Sequence, residues 1–179
     1  MKTSDKVVWE FAVGEIFFRV LERVGKHFNY YLFDRGNSVA CLLYLIDSDE
    51  VLLIRQYRPG TDSVELELPA GMLNDGENPE VAVRREVLEE TGYKIGELTK
   101  IKHLKFSPGA YTEECYIYFA EVRENDRIGK GGGLAEEHEE IEIVRFAPSK
   151  AISMMRSDAI CDTKTAFALQ WLEMHRIDR

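Results

Sequence analysis

Residues 84–92 read RREVLEETG and crowd Glu86, Glu89 and Glu90 together. In an α-helix, positions three and four apart are surface neighbours, so Glu86 sits beside both of the others. Like charges at those spacings destabilise a helix by roughly 0.2–0.5 kcal/mol per pair. Each residue turns the helix by about 100°, which sets Val83 and Val87 next to Glu86 and Glu90. The carboxylates therefore border an apolar stripe. Charged helices are usually solvated faces, and Arg85 with Glu89 at (i, i+4) also reads as an ordinary ion pair. Carboxylates held at the edge of a core with no lysine nearby need a cation or hydrogen-bond donors. Oxygen-only ligands suit hard divalent ions, Mg²⁺ or Mn²⁺, rather than zinc. The segment reads as half of a metal site.

The helix that must carry these carboxylates is well marked. Asn78 is a good N-cap, Pro79 fits the first helical position and Glu80 suits the positive end of the dipole. Gly92 is a natural stop. Before it, residues 7–12, 16–24 and 28–34 are aromatic and β-branched and read as strands, with a turn at Gly25-Lys26. Apolar strands are expected at 38–46 and 51–57, joined by DSDE, and VELELPAG at 64–71 alternates until Pro69 stops it. Beyond the helix, strands are expected at 100–106, 115–122 and 141–146, and helices near 148–156 and after Asp162 at 163–175. Strands flank a single internal helix without a regular βαβ rhythm. That pattern predicts an α+β, sandwich-type mixed fold rather than a doubly wound sheet.

The chain's 179 residues and 45% hydrophobic content are those of one globular domain. A net charge of −9 argues against general binding to nucleic acid or to anionic membranes. An anionic small molecule is still acceptable where local cations compensate. No apolar run approaches the roughly 20 residues of a membrane span. Glu10 interrupts the opening MKTSDKVVWEFAVGE, so no signal-peptide core is expected there. Cys41, Cys115 and Cys161 are widely spaced and form no CxxC, which fits reduced thiols in the cytoplasm.

Gly71, five residues, Glu77, seven residues and then Arg85-Glu86-Val87-Leu88-Glu89-Glu90-Thr91-Gly92-Tyr93 resembles the Nudix hydrolase signature at every fixed position. A pattern of that length is far more specific than a lone GxGxxG. The resemblance implies a Nudix α/β/α sandwich with a mixed sheet over residues 38–179, preceded by an antiparallel strand extension over 1–37. It implies that Glu86 and Glu90 ligate Mg²⁺ or Mn²⁺, with Glu89 in the same shell or assisting. The backbone carbonyl of Ala70 would complete the coordination. Arg85 and Glu77 would orient the carboxylates, and Gly71 and Gly92 would supply unusual backbone geometry. The activity implied is hydrolysis of a nucleoside diphosphate linked to another group.

The flanks bear on the substrate. Pro108, in FSPGAYTEE, lies 16 residues beyond Gly92. A proline there resembles the marker of ADP-ribose and nucleoside diphosphate sugar pyrophosphatases, although Ser107-Pro108-Gly109 also reads as a simple turn. DRGN, IRQYR, SPG and the GGG-acidic sequence together are similar to those of bacterial GDP-mannose pyrophosphatases. GKGGG at 129–133 lacks the spacing of a phosphate-binding P-loop. It reads either as a plain linker before a solvated charge run or as the hinge of a mobile catalytic loop. In the second reading the resemblance implies a base or ligand among Glu140, Glu139 and Glu137, in that order, with Glu139 also a metal-ligand candidate. His138 is expected in solvent. Arg55 and Arg58 are candidates for a diphosphate clamp, Arg35 a weaker one, against a polar sheet face as the ordinary reading. Aromatic residues before position 35, Phe17, Phe28, Tyr30 and Tyr31 among them, would stack on a base, fill a core or pack across a homodimer. A sensing module that binds without cleaving and a nucleoside triphosphate hydrolase are the alternatives. The retained glutamates argue against the first, and Pro108 and the extension against the second.

Overall fold

The computed structural model describes residues 5–13, 16–133 and 140–176. Strands β1 (Asp5–Val13), β2 (Ile16–Val24) and β3 (Asn29–Asp34) form a separate antiparallel sheet in that order. Alternation gathers Trp9, Phe11, Phe18 and Phe33 on one face, with ring centroids 5.2–6.4 Å apart. Tyr111 of the main body stacks on Phe33 at 5.7 Å, while the other end of the face is open among the described residues, Trp9 being 49% exposed.

The main sheet has seven strands: β4 (Ser38–Leu45), β5 (Glu50–Arg58), β6 (Ser63–Glu67), β7 (Ala70–Met72), β8 (Thr99–Lys105), β9 (Glu114–Val122) and β10 (Glu142–Phe146). Its central order is β10-β5-β4-β9-β8, with β6 on β5 and β7 on β4. β4 and β9 run parallel and the other pairs antiparallel, so the sheet is mixed. Helix α1 (Pro79–Thr91) covers one face, and α2 (Pro148–Arg156) with α3 (Thr163–Arg176) covers the other. β4 explains why SVACLLYL is apolar without alternation. Val39, Cys41 and Leu43 meet Val83 and Val87 of α1, while Ala40 and Leu42 join Ala168, Leu169 and Leu172 of α3. Each such large side chain contributes about 1.5–3 kcal/mol on burial. The expected mixed α/β/α sandwich is what forms.

The strand expected from residue 64 stops before Pro69, as its sequence predicts, and a short second strand follows. Residues 64–71 form β6 against β5 and then β7 against β4. The break is at Leu68-Pro69, where proline has no N–H for a ladder. Its carbonyl instead accepts from the Cys41 N–H at 2.9 Å.

The two sheets meet at β3. The Phe33 N–H donates to the Ala110 carbonyl at 2.8 Å, and the Thr112 N–H donates to the Phe33 carbonyl at 2.9 Å. Asp34 accepts from Thr112 at 2.6 Å and from Arg19 at 2.9 Å. Burial would raise the Asp34 carboxyl, but these bonds outweigh it and hold the group below its usual range.

Candidate active site

Helix α1 begins and ends where its caps direct. The Asn78 side chain accepts from the Glu80 N–H, and Gly92 closes the helix at φ 76° with its N–H on the Leu88 carbonyl. Between the caps, Ala82, Val83 and Val87 are buried, and Glu90 is only 1% exposed. The carboxylate predicted at the apolar border lies inside it.

Arg85 organises the other three. Its Nε and Nη2 reach the two oxygens of Glu77 at 3.2 and 3.0 Å. Nη1 donates to Glu86 at 2.7 Å and to Glu89 at 3.2 Å, while Nη2 also reaches the Met72 carbonyl at 3.1 Å. One guanidinium thus ties three carboxylates and β7 into a fixed set, a task its planar fork suits and an ammonium does not. The bond from Arg85, helped by the Asn74 backbone N–H, holds the Glu77 carboxyl below the usual range. The Glu77 bond, with the charges of Glu86 and Glu77, pushes Arg85 in the opposite direction.

The stretch 70–71 fits against the helix from below. The Ala70 N–H donates to Glu90 Oε2 at 2.9 Å. A Cβ placed on Gly71 would lie 2.1 Å from the Glu86 carboxyl carbon and 2.2 Å from both its oxygens. Gly71 is therefore required by space and not by the unusual backbone geometry that the family resemblance implies, since its φ is not positive. Gly92 meets both demands: its φ is 76°, and a Cβ there would lie 2.2 Å from the Gly129 carbonyl oxygen.

The glycine run 129–133 is fastened rather than free. Ile128 and Gly129 N–H groups donate to the Gly92 carbonyl at 2.9 and 3.0 Å. Those of Gly132 and Gly133 donate to the Glu90 and Glu89 carbonyls at 2.8 and 3.2 Å. Carbonyls left open at the end of α1 are thereby satisfied. The stem of the acidic loop is thus pinned to the helix that bears the carboxylates. Glu137, His138 and Glu139 lie outside the described residues. Glu140 is exposed and borders an open depression of about 450 Å³ with Arg55, Tyr57, Val64, Gly132 and Glu142. Gly132 belongs both to this depression and to the clasp on Glu90, so the depression adjoins the C-terminal end of α1.

The arginines separate. Arg55 faces Glu142, its register partner on β10, at 3.3 Å. Arg58 grips Glu67 with two bonds of 2.6 and 2.8 Å. Its guanidinium is held strongly charged, first by the Glu67 bond and further by the charges of Glu67, Glu90 and Asp162. Ser107, Pro108 and Gly109 form a turn, the Ser107 carbonyl accepting from Ala110 and Tyr111 N–H groups at 2.9 and 2.8 Å. This turn presents Ala110 to β3, and Arg35, exposed, follows that contact.

The donor set of Glu86, Glu89 and Glu90 is all carboxylate oxygen, as a hard divalent ion requires. Among the described residues no three acidic, histidine or cysteine side chains are arranged to hold an ion. The bonds explain this: Glu86 and Glu89 lean onto Arg85, and Glu90 onto Ala70. The cradle at Gly71 leaves the Glu86 carboxylate against bare backbone. The residues fit a cation, with Arg85 holding their positions.

Several residues of the site carried no sequence signal. Glu142 is recognisable only from the β5–β10 register. Glu67 is buried beside Arg58 and Lys164. Thr165 accepts from the Leu68 N–H across 97 positions of sequence.

A sequence profile of the NUDIX domain matches residues 34–162. A GDP-mannose pyrophosphatase of Salmonella arizonae is 38% identical, the match covering 97% of this chain and 95% of that protein. One of Salmonella typhimurium is 37% identical over 95% of this chain and 93% of its own. One of Shigella dysenteriae is 42% identical over 82% of this chain and 79% of its own.

Proposed function

Because the chain belongs to the Nudix hydrolase family, we propose that it cleaves the diphosphate of nucleoside diphosphate sugars, with GDP-mannose preferred and ADP-ribose second. Water adds to one phosphorus, the P–O–P bridge breaks, and a nucleoside monophosphate and a sugar phosphate leave. The observation that carries this reading is the similarity over almost the full chain to GDP-mannose pyrophosphatases, with Glu77, Glu86, Glu89 and Glu90 all present.

Glu86 and Glu90 would hold Mg²⁺, or Mn²⁺ in its place, with the Ala70 carbonyl as a further ligand and Glu89 beside them. A divalent ion held there would supply charge screening for the diphosphate and a more acidic water. Arg85, bonded to three carboxylates, fixes their directions and limits reorganisation. Glu140 stands first as the base, being at the rim of the depression beside Arg55; Glu139 and Glu137 follow. Arg55 and Arg35, not committed to buried partners, take the diphosphate, while Arg58 steadies Glu67. The Ser107–Pro108–Gly109 turn borders the substrate through its contact with β3. The exposed aromatic face of β1–β3 packs against a second copy of the chain, giving a homodimer; a monomer by sedimentation at micromolar concentration would overturn that. No helix of the described residues is long and apolar enough to cross a membrane. The cytoplasmic location proposed rests on the three cysteines being free and widely spaced, as in a reducing compartment.

The test is a panel of GDP-mannose, other nucleotide sugars, ADP-ribose and nucleoside triphosphates with Mg²⁺, read as phosphatase-released phosphate. GDP-mannose should rank first. Cleavage of triphosphates without any nucleotide sugar would overturn the assignment.

A further inference from the structure

The backbone segment that bonds Glu90 is itself held from α3, which packs on the face of the sheet opposite α1. Thr165, the third residue of α3, is 0% exposed. Its Oγ1 accepts from the Leu68 N–H at 2.8 Å and donates to Asp162 Oδ2 at 2.7 Å. A hydroxyl has one proton; with Asp162 taking it, a lone pair is left to face Leu68. Two residues on, the Ala70 N–H donates to Glu90 Oε2 at 2.9 Å. Pro69 between them has a nearly fixed φ, and its carbonyl is held by Cys41 of β4 at 2.9 Å. The three residues Leu68–Pro69–Ala70 are thus held by α3, β4 and α1 in turn.

We propose that Thr165 is a positioning residue for the metal-binding carboxylates, acting through Leu68–Pro69–Ala70 on Glu90. This rests on the metal site assigned above. Helix capping accounts for Asp162, which accepts from the Thr165 N–H at 2.9 Å. It does not account for the Thr165 hydroxyl meeting Leu68. Lys164 reinforces the same junction, lying 2.7 Å from Asp162 and 3.5 Å from Glu67. Thr165 lies beyond the residues matched by the NUDIX profile, which ends at 162.

Thr165→Val keeps the shape and removes the acceptor. The buried Leu68 N–H then gains a partner only by shifting its segment, and with it the Ala70–Glu90 bond. Mn²⁺ binding to the full chain, followed by electron paramagnetic resonance without substrate, should weaken about tenfold in Thr165→Val, the scale typical of lost outer-shell support. Thr165→Ser, which restores the hydroxyl, should return to within about twofold of wild type. If Thr165→Val does not fold, Asp162→Asn, which alters the partner of the hydroxyl proton, should weaken Mn²⁺ in the same direction by a smaller factor. A Thr165→Val protein that melts earlier yet binds Mn²⁺ like wild type would show a purely structural residue and overturn the proposal. Wild-type protein that binds no Mn²⁺ would overturn the metal site itself, a separate outcome read in the same experiment.

Discussion

Replacing Gly71 with alanine should remove activity and leave the fold nearly intact. The added Cβ would lie 2.1 Å from the Glu86 carboxyl carbon, where 3.4 Å is the near limit of ordinary contact. A deficit above 1 Å cannot be absorbed by small adjustments, so the carboxylate must rotate away. Nothing else need move, because the clash is with the far end of a flexible side chain and Gly71 does not have a positive φ. The Glu86–Arg85 contact at 2.7 Å, between side chains 13% and 30% exposed, is lost. Such half-exposed pairs are worth about 0.2–1 kcal/mol, and alanine returns about 0.4–1 kcal/mol by restricting the unfolded chain. The melting temperature should therefore fall by no more than about 4 °C, at about 2–4 °C per kcal/mol for a chain this long. Displacing Glu86, the metal ligand proposed above, should lower Mg²⁺-dependent kcat by about 100-fold or more. The assay is GDP-mannose turnover beside a thermal melt on the same sample. A kcat within about twofold of wild type would refute the placement of Glu86, and so would a protein that does not fold.

Gly131→Ala should show the reverse signature. Its φ is +71° and a Cβ would lie 2.6 Å from the Thr91 carbonyl carbon, which is backbone and cannot rotate aside. About 1–3 kcal/mol of strain should lower the melting temperature by several degrees, whereas Gly96→Ala, with nothing within 4 Å, should melt as wild type. Cys41 and Cys115 are fully buried, and burial pushes the Cys115 thiol up to about 11. Iodoacetamide at neutral pH should accordingly give one adduct, at the exposed Cys161, and three after unfolding; native labelling of either buried thiol would contradict the packing. The Glu77 carboxyl is held low by Arg85, so its contribution is complete above the unfolded value of about 4.3 and lost as pH falls through the lower folded value. Melting temperature measured from pH 6 to 3 should fall less steeply in Glu77→Gln than in wild type; parallel curves would count against that pairing.

What the sequence revealed was local. Asn78, Pro79 and Gly92 delimit α1 because caps act within one turn, and the spacing of Glu86, Glu89 and Glu90 follows from helical period alone. The stop at Pro69 was legible in residues 64–71, whereas the pairing of Ala70–Met72 with β4 was not, because it depends on which neighbour each half meets. The need for Gly71 is equally tertiary: a side chain from 15 residues later fills its Cβ position. The GKGGG run at 129–133 suggests mobility by composition, yet the positive φ angles of Gly131, Gly132 and Gly133 help lay the Gly132 and Gly133 N–H groups on the end of α1. Thr165 could not be found at all, since its partner Leu68 is joined to it only by the packing of α3 on the sheet. The carboxylate cluster was legible in its spacing, and the contacts that support it were not.

The central claim is that carboxylates on α1 hold a divalent ion that drives diphosphate cleavage. Phosphorus NMR of GDP-mannose with the protein tests it most directly, run with Mg²⁺, with a chelator, and with Glu90→Gln and Mg²⁺. Glutamine keeps an oxygen for the Ala70 N–H that Glu90 now accepts at 2.9 Å, so the variant should fold. GMP and mannose 1-phosphate should appear only with wild-type protein and Mg²⁺. Equal turnover under chelation or in Glu90→Gln, or release of GDP with free mannose, would contradict the account.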